Sequence, residues 1–114
     1  MFEGVAGNLE RYMNLLSVRQ KLTASNIANA DTPGYRTQDI DFRAEFAQQM
    51  AGQESLGPQT MEPDGLAVKS DGNNVSLDRE SRMLAENAMR FSVASSMARA
   101  ELNGIRKAIE EGKS

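Results

Sequence analysis

SNIANADTPGYR, residues 25–36, decides the fold, because an apolar helical pattern runs up to this stretch and stops there. Asn26 and Asn29 lie three residues apart, so they share one face of the helix that precedes the stop. Pro33 cannot continue a helix, and Gly34 readily takes the positive φ of a turn. Asn is a poor helix former with several hydrogen-bonding positions to satisfy, so two amides at this place predict polar contacts in an interface.

The residues before the turn predict one long amphipathic helix, from about Val5 or Asn8 to Ala30. Its apolar and small residues alternate steps of four and three, which places them on one seam. The seam consists of Leu9, Met13, Leu16, Gln20, Thr23, Ile27 and Ala30. A helix with such a stripe needs a partner along its length.

The last third of the chain carries the strongest periodic pattern. Two interleaved series with a spacing of seven residues predict a heptad seam on a second long helix. The seam consists of Leu77, Leu84, Ala88, Phe91, Ala98, Leu102, Ile105 and Ile109. Asn74 or Ser76 is suited to cap the start of this helix. The two helices are therefore predicted to pack on each other.

The segment between the helices, residues 36–75, has a different composition. It carries seven acidic and three basic residues, several Gly and Pro, and few large apolar side chains. The predicted fold is therefore mainly α, a single domain in which residues 1–35 and 76–114 form an antiparallel coiled-coil hairpin. A long extended or partly disordered acidic connection joins the helices, and neighbouring subunits complete the fold.

Composition limits both the core and the chemistry. The chain has 114 residues, 39% of them hydrophobic, and no Trp, which predicts a weakly folded monomer. The lack of Cys and His removes the usual ligands of zinc and haem, so no cofactor or metal is expected. A net charge of −3 argues against nucleic acid. The start shows no basic region followed by an apolar one, so no cleaved signal peptide is expected.

Two local groups remain to be weighed. Asp39, Asp41 and Glu45 form the tightest carboxylate group, but they lie in a segment that looks flexible, and flexible carboxylates cannot hold catalytic geometry. An enzyme with a small-molecule ligand is therefore disfavoured. Phe42 and Phe46 lie four residues apart, and on a short helix they would form one apolar knob that packs against the hairpin.

Both ends of the chain resemble one protein family. SNIANADTPGYRTQDIDF, residues 25–42, resembles the signature of bacterial flagellar rod and hook proteins, and GNNVSLDRE, residues 72–80, resembles the C-terminal signature of short rod members. Ser25 and Ser76 stand where relatives often have Ala and Asp. The matching residues are Asn26, Asn29, Thr32, Pro33, Gly34 and Tyr35, followed by Asn74, Val75, Leu77, Asp78 and Glu80.

The resemblance implies a structural subunit of the proximal rod, the part of the flagellar drive shaft that lies in the periplasm. Its partners would be copies of itself, other rod proteins and the adaptor that joins the rod to the membrane ring. Delivery would use the flagellar type III export apparatus without a cleaved signal. Phe42 and Phe46 match a Phe-x-x-x-apolar signal that the export gate recognises across the family, so the two rings have either an export role or a packing role.

A different class of function competes with this one if the signature is set aside. A cytoplasmic helical adaptor or export chaperone would also present coiled-coil faces to other helical subunits. The two hypotheses predict different assemblies, since a chaperone forms a small closed oligomer and a rod subunit forms an open, asymmetric assembly.

Overall fold

The computed structural model describes residues 4–53 and 57–112. The chain is mainly helical and elongated, with overall extents of 70 × 27 × 18 Å. Its elements in order are α1 (Gly4–Ala28), β1 (Asp39–Ile40), α2 (Phe42–Met50), β2 (Thr60–Met61) and α3 (Leu77–Gly112). The prediction of a mainly helical chain with long helices at both ends is confirmed. Within the described ranges, no helix has both the length and the apolar character needed to cross a membrane.

The two long helices lie side by side and run in opposite directions. Asn26, near the end of α1, bonds to Glu80 near the start of α3, whereas Tyr12 accepts a hydrogen bond from Arg90 further along α3. Among the residues that the structure describes, the apolar core between the elements is small, and only three of its members are larger than Val. The buried apolar residues are Ala6, Leu15, Leu16, Ala30, Ile40, Val75 and Ala94.

The start of α3 follows directly from its sequence. Ser76 is the capping residue, because its Oγ accepts a hydrogen bond from the Arg79 N–H at 3.2 Å. The other predicted cap, Asn74, is occupied elsewhere, where its Oδ1 accepts from the Thr37 N–H at 2.6 Å. Ser76 therefore sets the start of the helix, and Asn74 fixes the chain that precedes it.

The connection between α1 and α3 has more regular structure than its composition predicts. Its described part contains α2 and the antiparallel pairing of β1 with β2, in which Ile40 lies opposite Thr60. Arg36 and Glu62 form an ion pair at 2.8 Å beside these strands. Ile40 is 2% exposed, which anchors β1 in the core. A buried Ile and paired charges therefore order a segment with few large apolar residues.

The side of α3 that faces α1 differs from the predicted heptad seam. The buried residues of α3 are Glu80, Asn87 and Ala94, which are also seven residues apart. Most of the predicted seam is exposed in the single chain, and Ala98 is half-buried; the exposed members are Leu77, Leu84, Ala88, Phe91, Leu102, Ile105 and Ile109. Burying Glu80 turns α3 so that this apolar stripe lies on the flank of the hairpin. The stripe is therefore open to other partners.

Candidate functional site

The TPGY turn reverses the chain immediately after α1. Tyr35 donates its N–H to the carbonyl oxygen of Thr32 at 3.2 Å, which closes a four-residue turn. Pro33 and Gly34 occupy its central positions, and Gly34 has a φ of 76°, as a type II turn requires. Thr32, Pro33 and Gly34 are all exposed. The turn is therefore formed by its own backbone, as predicted from Pro33 and Gly34.

A second turn, from the C-terminal signature, packs directly on the first. Gly34 donates its N–H to the carbonyl oxygen of Asp71 at 2.9 Å. Gly72 has a φ of 87°, and a Cβ at that position would lie 3.4 Å from the Cα of Gly34. Lys69 Nζ also donates to the carbonyl oxygen of Ala30 at 3.1 Å. The two signatures, distant in sequence, thus meet backbone to backbone.

Asn73 binds the open end of α1. Its Nδ2 donates to the carbonyl oxygens of Asn29 and Thr32, both at 2.9 Å. Its Oδ1 accepts from the Val75 N–H at 2.8 Å, and the side chain is fully buried. These carbonyls lie just after the end of α1 and already accept the N–H groups of Thr32 and Tyr35, so Asn73 gives each a second hydrogen bond and ties this end of α1 to the C-terminal signature.

Asn74 fixes the strand that leaves the first turn. The Thr37 N–H donates to its Oδ1, the Thr37 hydroxyl donates to its backbone carbonyl, and the Asn74 N–H donates to the carbonyl of Tyr35. Thr37 is fully buried and Asn74 is 2% exposed. We call Asn73 and Asn74 the amide clamp, since together they hold both sides of the signature turn.

Asn26 uses its whole amide inside the chain. Its Nδ2 donates to Glu80 Oε1 at 2.7 Å and to the carbonyl of Gln38 at 2.8 Å. Its Oδ1 accepts from the Gln38 N–H at 3.1 Å and from the Tyr35 hydroxyl at 3.0 Å. With no exposed surface, Asn26 cannot offer its amide to a neighbour. The interface expected for this residue therefore lies between segments of one chain.

Asn29 has a different environment from Asn26. Its Nδ2 donates to the carbonyl of Ser25 at 2.9 Å, and its Oδ1 accepts from the Thr32 hydroxyl at 3.0 Å. Both bonds are local and exposed. The side chain of Asn29 therefore finishes the helix end, and only its backbone carbonyl reaches the distant Asn73.

A chain of ion pairs continues from Asn26 across the two helices. Arg19 donates from Nε and Nη2 to the two carboxylate oxygens of Asp39, at 2.9 and 3.0 Å. Arg79 donates to Asp39 Oδ2 and to Glu80 Oε2, both at 2.6 Å. Glu80 is fully buried and Asp39 is 4% exposed. We call these four residues, with Asn26 and Tyr35, the polar cluster.

The charges in the polar cluster alter the pKa values of two of its members. Burial alone would raise the pKa of Asp39, but hydrogen bonds from Arg19, the Ile40 N–H and Arg79 outweigh it and hold this pKa below its usual value. Burial alone would lower the pKa of Arg79, but its bonds to Glu80 and Asp39 raise it overall. Asp39 and Arg79 are therefore a stably charged pair at neutral pH.

Phe42 and Phe46, the two predicted export residues, pack on α1. Tyr12 contacts both rings edge to face, with centroid distances of 5.3 Å to Phe42 and 5.8 Å to Phe46. The Phe rings lie 6.5 Å apart, and the guanidinium of Arg19 is 5.8 Å from the centroid of Phe42. Both Phe side chains are half-buried. The predicted apolar knob thus exists and contacts the hairpin.

An apolar groove of about 510 Å³ runs beside this aromatic group, between α1 and α3. Phe46 and Tyr12 border it, and Ala94 is among its lining residues. Its apolar walls are Val5, Leu9, Met89, Val93 and Met97. The groove and the predicted heptad stripe leave α3 with more apolar surface than α1 covers. Elsewhere, no group of acidic side chains within residues 4–53 and 57–112 is arranged to hold a metal ion.

Known proteins are similar to this chain over most of its length. The family model for "Flagella basal body rod protein" matches residues 10–36. The flagellar basal body rod protein FlgB of Escherichia coli strain K12 is 32% identical over 124 aligned positions, covering 88% of each chain. FlgB of Salmonella typhimurium is also 32% identical with 88% coverage of each chain. The chain belongs to the FlgB family of flagellar basal body rod proteins. FlgB of Bacillus subtilis, at 24% identity, covers 99% of this chain.

Membership of the rod family confirms the resemblance and fixes the class of protein. The family is structural, so the chain is not an enzyme, in agreement with the prediction. The family match begins in α1 and ends at Arg36, just after the TPGY turn. The amide clamp of Asn73 and Asn74, and Glu80 of the polar cluster, lie outside that match.

The sequence patterns do not predict the polar cluster or the amide clamp as connected groups. The prediction of a flexible carboxylate at Asp39 is wrong, because Asp39 joins Arg19 to Arg79. One signal was available, since both signatures are rich in Asn and turn residues at opposite ends of the connection. Such residues in two separate turns indicate that each turn supplies the other's missing hydrogen bonds.

Proposed function

We propose that this flagellar rod protein is a structural subunit of the proximal rod, part of the drive shaft that transmits torque from the membrane ring to the distal rod and hook. The observation that carries the proposal is the 32% identity to E. coli FlgB across 88% of each chain. In this proposal the subunit works in the periplasmic part of the basal body.

The partners in this proposal are copies of the chain, other rod proteins and the adaptor that joins the rod to the membrane ring. Each neighbour would pack its helices as a coiled coil against the apolar stripe of α3. Leu84 and Phe91, at 38% and 40% exposed, and Ile105, at 44%, support such contacts. Covering apolar surface stabilises an interface by about 25 cal/mol per Å². The small core of one chain would thereby be extended by its neighbours.

Export through the flagellar type III gate is the second part of the proposal. A chain with few large buried residues and no disulfide is easily unfolded, which passage through a narrow channel requires. We propose that Phe42 and Phe46 are read by the gate while the chain is unfolded and pack on Tyr12 after it folds. We therefore expect the dilute, isolated protein to be weakly helical or molten, and to gain helix when it assembles.

Electron microscopy of basal bodies from cells that lack this chain tests the position in the rod. We expect the whole rod to be lost while the membrane ring remains. Rods that persist without the chain would refute the proximal assignment. A closed oligomer whose size does not grow with protein concentration would instead indicate an adaptor or chaperone.

A matched pair of variants tests whether the stripe mediates assembly. Ile105→Asp places a charge on the apolar stripe, and Asn103→Asp places the same charge two residues away on an exposed position outside it. Both positions are exposed in the single chain, so neither change should disturb its fold. We expect Ile105→Asp to be exported but absent from rods, and Asn103→Asp to assemble. Equal assembly of both variants would exclude the stripe as the interface.

A further inference from the structure

We propose that the polar cluster and the amide clamp form a latch whose assembly sets the rate at which the hairpin closes. In this view α1 docks on α3 only when residues 73–80 reach the signature turn, and this meeting is the slow step of folding. The latch is independent of which neighbours later cover the molecule.

The N-terminal half cannot satisfy its own buried polar groups. Asn26 needs Glu80, 54 residues away, and the Thr37 N–H needs Asn74, 37 residues away. The carbonyls of Asn29 and Thr32, which already accept a local N–H, each take a second hydrogen bond from Asn73, more than 40 residues away. A polar group that is buried without a partner loses its hydrogen bonds to water and gains nothing in return. Docking of α1 before these residues arrive is therefore unfavourable.

The C-terminal half has the same requirement. Glu80 and Asn73 have no exposed surface in the closed hairpin. Before closure the Glu80 carboxylate is hydrated, and burying it is costly unless Asn26 and Arg79 both contact it. Docking of either half without the other therefore buries polar groups that have no hydrogen-bond partner. Closure is expected to be all-or-none at this end of the hairpin.

The rest of the hairpin offers no better place to begin. Toward the start of α1 the helices leave the open groove, where Val5 is 56% and Met97 is 52% exposed. Next to the cluster, Gln20 Oε1 and Asn87 Nδ2 are buried, and neither has a hydrogen-bond partner within the described chain. These two atoms therefore add no directional contact to the closed hairpin. The favourable directional contacts are therefore concentrated at the signature turn.

Refolding kinetics distinguish a latch from a contact that forms late. The full chain is refolded from urea into an osmolyte that favours the compact state, and helix formation is followed by circular dichroism. Glu80→Ala is compared with Glu86→Ala, which removes an exposed carboxylate from the same helix, paired with Arg90 at 2.7 Å. We expect Glu80→Ala to lower the rate of hairpin closing about tenfold or more, and to change the rate of hairpin opening by less than about twofold. We expect Glu86→Ala to leave both rates near those of the parent.

A contact that forms late would give the opposite kinetics. Faster opening with unchanged closing in Glu80→Ala, or no change in either rate, would overturn the proposal. If Glu80→Ala does not fold even at high osmolyte, Glu80→Gln supplies the rates, because its amide oxygen can still accept from Asn26. We then expect its closing rate to fall and its opening rate to stay near that of the parent, because the charge that Arg79 contacts is lost; faster opening with unchanged closing would overturn the proposal.

An exchange of donor and acceptor provides a second test. Asn26→Asp sets a second carboxylate against Glu80, and we expect closing to slow. Adding Glu80→Gln restores one hydrogen bond in the reverse direction, from the new amide to the new carboxylate. We expect the double variant to close at least about fivefold faster than Asn26→Asp alone, as coupled contacts require. Independent effects of the two changes would overturn the latch.

Discussion

Replacement of Asn26 by Ala should destabilise the hairpin far more than replacement of Asn29, although both are amides three residues apart. Asn26→Ala removes four hydrogen bonds, one of them to the buried Glu80. Asn29→Ala removes two local, exposed bonds. The comparison therefore separates the value of burial from the value of the residue type.

The structure sets the expected magnitude. A hydrogen bond to a charged group contributes about 1.5–3 kcal/mol, and a neutral one contributes about 0.5–1.5 kcal/mol. Water can partly replace Asn26 at Gln38, which is exposed, so the sum for Asn26→Ala comes to about 3–5 kcal/mol. For Asn29→Ala we expect about 1 kcal/mol or less, because water can reach both partners.

Osmolyte-induced folding followed by circular dichroism measures both variants on one scale. The chain has a small core, so it is titrated with osmolyte rather than with denaturant, and the midpoint reports the free energy of folding. We expect Asn26→Ala to need much more osmolyte than the parent, and Asn29→Ala to fold close to the parent. Equal midpoints for the two variants would refute the assignment of Asn26 to the interior.

Three further predictions concern acid, assembly and export. Folding lowers the pKa of Asp39, so the stability that its charge adds to the fold is complete above about pH 5 and is lost as the pH falls below about 4. In Asp39→Asn the free energy of folding should therefore change less with pH over this acid range than in the parent. Phe91→Ala should destabilise the assembled rod by about 3–5 kcal/mol if assembly buries the ring, so this variant should be exported but form no rod. The control Ser92→Ala should assemble like the parent. Normal swimming of the Phe91 variant would contradict this. Replacing both Phe42 and Phe46 by Ala should leave the chain in the cytoplasm, while Tyr12→Ala should be exported, and cell fractionation would refute an export role if the double variant also leaves.

The local features of the fold could be predicted from the sequence. The stop at Pro33 and Gly34, the cap at Ser76 and the pairing of Phe42 with Phe46 all depend on residues a few positions apart. Short-range sterics and capping fix these features before any tertiary contact forms. For this reason the ends of the two long helices fall close to the predicted positions.

The orientation of α3 could not be predicted in the same way. Its apolar heptad pattern favours Leu84 and Phe91 as the contact face, but Glu80 and Asn87 are the buried residues. Glu80 is turned inward by Asn26, 54 residues earlier, and such a pairing leaves no periodic trace. A periodic apolar stripe shows that a helix has a partner, and it does not show whether that partner is in the same chain.

The antiparallel arrangement also bears on how this protein can be labelled. The described start of α1 at Gly4 and the end of α3 at Gly112 both lie away from the signature turn, beside the groove and the exposed stripe. A fluorescent protein or affinity tag at either end would therefore crowd the surfaces that we propose for assembly. The exposed Gly52 and Gln53, which follow α2, are a better place for an insertion, since exposed loops tolerate added residues. Imaging of working motors would then report on native rods.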